Sequence, residues 1–215
     1  DKIKGKKRLC IIPTGVFSNM PFQCLGKKTA NNGFKFLIED HSIFYTNKMS
    51  VFNTGEKETA QKANMNSFAA FGVPDATLSF NIDEVKEIGK ILGSDSTVYS
   101  DARATESMAK QSLRNKKFIH FATHGVLNYS SDYSQSYLKL LPDKDTSNGN
   151  NGQLTMREIQ GLGISDCSMV ILSACQTAVS KALVKGWNIS PANSFLVSNV
   201  KTVVASLWKV ADVPT

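Results

Sequence analysis

No uninterrupted apolar stretch in the chain approaches the roughly 20 residues that span a bilayer, which excludes a membrane-spanning helix. Cysteine is scarce. Four residues (Cys10, Cys24, Cys167, Cys175) in 215 fall far below a disulfide-stapled secreted scaffold. A chain of this length buries roughly 70% of its unfolded surface and needs no such staples. The basic start is followed by no apolar segment, so a secretory signal pattern is missing as well, and a cytoplasmic location is expected. No internal repeat is visible. With 41% hydrophobic and 20% charged residues, neither disorder nor a fibrous repeat fits. The chain begins at Asp1 without a Met and stops at Ala-Asp-Val-Pro-Thr, so a fragment of a longer protein is expected.

The surplus charge is not spread as a broad nucleic-acid-binding face would spread it. Lys+Arg total 25 against 18 Asp+Glu, a net of +7. Residues 1–8 alone contribute +4, residues 9–175 balance, and residues 176–215 add +3. A basic leader and a mildly basic end remain, and direct nucleic-acid binding is not expected.

What is present is an alternation of strand and helix signals. Short apolar or alternating runs predict strands at 8–12, 34–38, 42–46, 67–71, 117–122, 168–172 and 202–208. Residues 47–66 are polar and carry little signal. Ile82, Val85, Ile88 and Leu92 share one face of a helix over 82–92, with Asn81 placed to cap it and Gly93 to end it. Further helices are expected at 105–114 and 192–199. A Thr155-x-x-Glu158 capping box opens a short one. Residues 142–153, crowded with Asp, Asn, Ser and Gly, read as a loop too flexible to hold a site alone. Such alternation predicts an α/β fold with helices on both sides of a mostly parallel sheet.

Two predicted strands each deliver a reactive side chain just past their last apolar residue: one ends at His124, the other at Cys175. In open α/β sheets, sites gather at the carboxyl ends of strands. Parallel neighbours lie roughly 4.8 Å apart, close enough for an imidazole and a thiol to meet. A thiol is a weak nucleophile at its free pKa of roughly 8.5, and an adjacent imidazole raises the thiolate fraction. The same imidazole can return a proton to a leaving amine. Donors for a developing oxyanion are also at hand in the backbone N–H groups of Gly125 and Cys175.

His-Phe-Ala-Thr-His-Gly (120–125), Leu-Ser-Ala-Cys-Gln-Thr-Ala (172–178) and Val-Ala-Ser-Leu-Trp-Lys-Val-Ala-Asp (204–212) resemble the three signature segments of the CHAT domain. That is the caspase-like peptidase family often found behind tetratricopeptide repeats, and more distantly related to separase and the caspases. The 51-residue separation of His124 and Cys175 agrees with the caspase spacing of about 50. Milder matches, Ile-Pro-Thr-Gly (12–15) with Met-Pro-Phe (20–22) and Phe-Gly-Val-Pro (71–74), extend the likeness over nearly the whole chain. The resemblance implies a three-layer α/β/α sandwich of caspase-like type occupying 1–215, without its N-terminal repeat or sensor region and its C-terminal helices. It implies His124 as catalytic base, Cys175 as nucleophile and the amides of Gly125 and Cys175 as oxyanion hole. A protein substrate is implied, under the control of an upstream tetratricopeptide-repeat region and a regulatory protein or ribonucleoprotein, in a setting such as prokaryotic defence. Lys-Gly-Trp-Asn-Ile-Ser-Pro (185–191) departs from the Gly-Glu-Gly-like turn and Arg-containing helix of many members, so that wall of the site is expected to differ.

Other residues carry weaker signals. His120, four before His124, suggests a zinc pair, but four residues of strand span roughly 13 Å, too far for one ion. No metal and no cofactor are expected, and His120 reads as support for the sheet or the surroundings of the site. His41 reads as exposed and inert, and Cys10, Cys24 and Cys167 as packing residues. Ser173, Ser206 and Trp208 are candidate substrate contacts, 206–208 as a strand that pairs with an extended peptide. Asp132 and Asp212 are candidate carboxylates for a basic substrate residue, or else solvated loop acids. The competing reading of the whole is a caspase-fold interaction module without catalysis.

Overall fold

The computed structural model describes residues 2–46, 67–128, 132–174, 181–182 and 188–207. The chain divides into two compact units, the first built on residues 1–59 and 180–188, the second on 60–179 and 189–215.

In the first unit, β1 (Arg8–Ile11) pairs in parallel with β4 (Ser42–Tyr45), and β2 (Gly26–Lys28) pairs antiparallel with β3 (Phe34–Phe36). The strand expected over 34–38 stops early. Glu39 Oε1 accepts the Phe36 amide at 2.6 Å, and the chain turns into the single helical turn α1 (Leu37–Asp40). His41, expected to be exposed, is buried instead, and its Nδ1–H donates to the Lys6 carbonyl. Cys24, expected to pack, is exposed.

The second unit contains a five-stranded sheet in the order β14-β11-β7-β5-β6, every neighbouring pair parallel. Its strands are β5 (Phe68–Gly72), β6 (Ser96–Ser100), β7 (Phe118–Ala122), β11 (Met169–Ser173) and β14 (Thr202–Ala205). Between them lie α2 (Asn81–Leu92), α3 (Glu106–Asn115), α4 (Met156–Gly161) and α5 (Pro191–Val197). A small antiparallel sheet, β8 (Gly125–Val126), β9 (Tyr137–Lys139) and β10 (Gln153–Thr155), is inserted between β7 and α4. The two-residue strands β12 (Lys181–Ala182) and β13 (Asn188–Ile189) precede α5.

Handedness explains which helix covers which face. The chain steps one way from β5 to β6, then the other way to β7, β11 and β14. Right-handed crossovers therefore put α2 on one face and α3, α4 and α5 on the other. The packing agrees: Val85 of α2 meets Ala70 and Ala122. Ala109, Leu113, Ile159 and Phe195 close over Phe71, Ile119, Phe121, Val170 and Leu172 on the opposite face. Tyr99, Phe71, Phe121 and Phe195 stack in series there, at centroid separations of 4.7, 5.2 and 6.2 Å. The result is the α/β/α sandwich that the sequence predicted.

The loop at 142–153 corrects its expectation. Buried Glu106 of α3 accepts the Gly152 amide at 2.8 Å. Lys110, one turn on, reaches Asn150 and Glu158, each at 2.8 Å, and Ser107 holds Asp143 at 2.6 Å. Gly152 adopts φ +89°, and a Cβ there would lie 2.8 Å from the Leu140 carbonyl oxygen. Asp143, Asn150 and the Gly152 amide are thus bonded to α3, while Asp145 and Asn151 accept the Ser147 and Gln153 amides locally.

Candidate active site

The carboxyl ends of β5 and β7 form the switch point of the sheet. The connection from β5 leaves over one face and that from β7 over the other, which opens a crevice between the two strand ends. Asn81 ties this point together from the start of α2. Its Nδ2 donates to the Val73 carbonyl and, at 3.3 Å, to the Ala122 carbonyl. Gly72 lets the helix come this close, since a Cβ would fall 2.6 Å from Val85 Cγ2.

His124 stands at the crevice, two residues past β7, with its side chain 28% exposed. Its Nε2 lies 2.7 Å from Thr77 Oγ1 and 3.5 Å from Asp75 Oδ1, both in the loop that follows β5. Asp75 Oδ1 accepts the Thr77 amide at 2.9 Å and the Thr77 hydroxyl at 2.6 Å, and Oδ2 meets Lys139 Nζ at 2.5 Å. The Lys139 ammonium first, then the Thr77 hydroxyl and amide, hold the Asp75 carboxyl well below the usual carboxylate range.

Strand β9 supplies this lysine and also fixes the backbone around His124. The Lys139 amide donates to the His124 carbonyl at 2.9 Å, and Thr123 Oγ1 donates to the Lys139 carbonyl. Gly125 is paired with Leu138 in the next step of the ladder. Hydrogen-bonded and non-hydrogen-bonded pairs alternate between antiparallel strands, so the Gly125 N–H is directed away from β9.

Beneath the crevice, His120 is buried and its Nε2 donates to Glu84 Oε1 of α2 at 2.9 Å. Ser173 Oγ donates to Glu84 Oε2 at 3.2 Å. One carboxylate on α2 thus spans β7 and β11, and His120 supports the sheet next to the site. The two neighbouring histidines serve different partners. Among the described residues no group of His, Cys, Asp or Glu is arranged to hold a metal ion.

Cys175, Trp208 and Asp212 lie outside the described residues, as do residues 185–187 of the departing segment. The strands leading toward Cys175 are described. Ala122 pairs with Ser173, and the Thr123 amide still reaches the Ser173 carbonyl at 3.3 Å. His124 and Cys175 each follow this last pair by two positions. Ser206 Oγ donates to the Ala174 carbonyl at 2.6 Å, which ties the residue before Cys175 to the chain after β14. Asp132 closes its own turn, accepting from Ser134 and Gln135, and pairs with Arg157 at 3.0 Å.

Asp75, Thr77, Lys139, Glu84 and Asn81 were not read as site residues. Asp75-Ala76-Thr77, just past an apolar run and a Pro, has the composition of an Asx turn at a strand's carboxyl end, and that was the available signal.

A parallel sheet covered on both faces, with an imidazole at its switch point, defines a caspase-like α/β/α sandwich. The chain belongs to the CHAT domain family, whose model matches residues 1–215. It is a family related to the caspase-like peptidases. No curated protein matches the chain.

Proposed function

We propose that the chain is a cysteine endopeptidase that cleaves a protein substrate through a His124/Cys175 dyad, under control of an upstream sensor or repeat region. The observation that supports this is the pairing of Ala122 with Ser173, the residues two positions before His124 and Cys175 in the sequence. Family membership supports the same chemistry.

In this mechanism His124 accepts the Cys175 thiol proton, and the sulfur attacks the carbonyl carbon of the scissile peptide. The negative charge on the carbonyl oxygen is met by the amides of Gly125 and Cys175. The tetrahedral species collapses to a thioester as His124 passes its proton to the departing amine. Water, activated by the same imidazole, hydrolyses the thioester and restores the thiol.

Intact-mass comparison of proteins co-expressed with the wild type and with Cys175→Ala tests this reading. Fragments seen with the wild type alone support it. Identical fragments from both chains remove Cys175 as nucleophile, and no fragments from either favour the interaction module.

A further inference from the structure

We infer that Asp75, acting through Thr77, is the positioning carboxylate of His124, fixing which ring nitrogen carries the proton. The inference rests on the peptidase reading for its use but not for its geometry. A hydroxyl has one proton, and that of Thr77 points to Asp75 Oδ1 at 2.6 Å. At its 2.7 Å contact with His124 Nε2, Thr77 Oγ1 therefore accepts, and Nε2 bears the hydrogen. The 3.5 Å approach of Nε2 to Asp75 Oδ1 favours the same tautomer. Nδ1 is left with the lone pair, and on the proposed function it is the nitrogen that takes the Cys175 proton.

The arrangement exceeds what folding of the loop requires. An Asx turn is complete once Asp75 accepts the Thr77 amide. The Thr77 side chain is exposed and fills no core position. Lys139 keeps the carboxylate ionised, and the bond from its own amide to the His124 carbonyl sets the ammonium and the imidazole on adjoining strands. The order carboxylate, hydroxyl, imidazole interposes one side chain in the usual pairing of a carboxylate with a catalytic histidine. Orientation of this kind matters because a misplacement near 1 Å costs on the order of 100-fold in rate.

The test pairs two measurements on the full chain. Nitrogen-15 NMR of the histidine rings is expected to show His124 in the Nε2–H form, and Thr77→Val to mix or reverse the tautomers. Alkylation of Cys175 by a small haloacetamide is expected to slow by about tenfold or more in Thr77→Val and to recover in Thr77→Ser. Asp75→Asn provides an independent variant with the charge removed and the shape kept, expected to repeat the tautomer change. An Nδ1–H wild type overturns the inference, as does a Thr77→Val variant with unchanged ring signals and alkylation. A wild type with the Nε2–H signature but an unreactive Cys175 sinks the peptidase reading and leaves the positioning of His124 supported.

Discussion

Burial separates the cysteines before any assay is run. Cys167 is 1% exposed, its thiol contacts the Lys117 and Met169 carbonyls, and burial pushes it up to about 11. Partial burial likewise raises the Cys10 thiol, while Cys24 is exposed. Iodoacetamide at neutral pH, followed by peptide mapping, should therefore label Cys24 ahead of Cys10, with Cys167 slowest, because the thiolate is the reacting species. On the proposed function Cys175 precedes all three. A Cys175 rate no greater than that of Cys24 argues against an activated nucleophile. Legibility in the sequence also differs residue by residue. His124 was legible because its strand and its glycine are adjacent to it. Asp75 and Thr77 were not, since they lie 49 and 47 positions away and meet the imidazole only through the pairing of β5 with β7.

Local signals gave the elements and non-local ones corrected them. Thr155 and Glu158 satisfy each other's amides within four residues, and the capping box is present as read. Thr105 likewise caps α3. Asn81, read as a cap, is instead the first residue of α2, with Phe80 at the cap position and the Asn81 amide turned onto the ends of two strands. Strand β6 was missed because Ser-Thr-Val-Tyr-Ser is half polar, and its pairing with β5 outweighs its weak propensity. The Asn81 bond predicts an asymmetry between similar substitutions. Asn81→Ala deletes a donor to two carbonyls, whereas Asn81→Asp sets a carboxylate against them in the same volume. Each should destabilise by about 1–3 kcal/mol, Asn81→Asp the more, read as the shift in urea midpoint. Equal stability of Asn81→Asp and wild type shows that the two strand ends do not depend on this side chain.

At the scale of the molecule, the alternation of signals was enough to reach the α/β/α architecture, because handedness leaves little choice once the strands are parallel. Strand order was not legible, and with it the switch point, since no periodicity encodes which strands become neighbours. The distribution of charge along the chain was legible, but not the surface on which it gathers. Residues 2–46 hold eight basic against two acidic side chains, and Lys4, Lys6, Lys7, Lys27 and Lys35 line a groove of about 880 Å³ in the first unit. The described residues of the second unit carry eleven basic and twelve acidic side chains. The net positive charge and the candidate site thus belong to different units. Retention on a heparin column should reside in the first unit and fall steeply between about 50 and 200 mM salt, as counterion release requires. Replacing Lys4, Lys6, Lys7 and Lys27 by Gln should lower the eluting salt concentration while leaving haloacetamide labelling of Cys175 within about twofold of wild type, because a neutral reagent is not steered by surface charge that salt screens. Slower labelling in that variant means that the basic groove acts on the site, and the charge is then part of its chemistry.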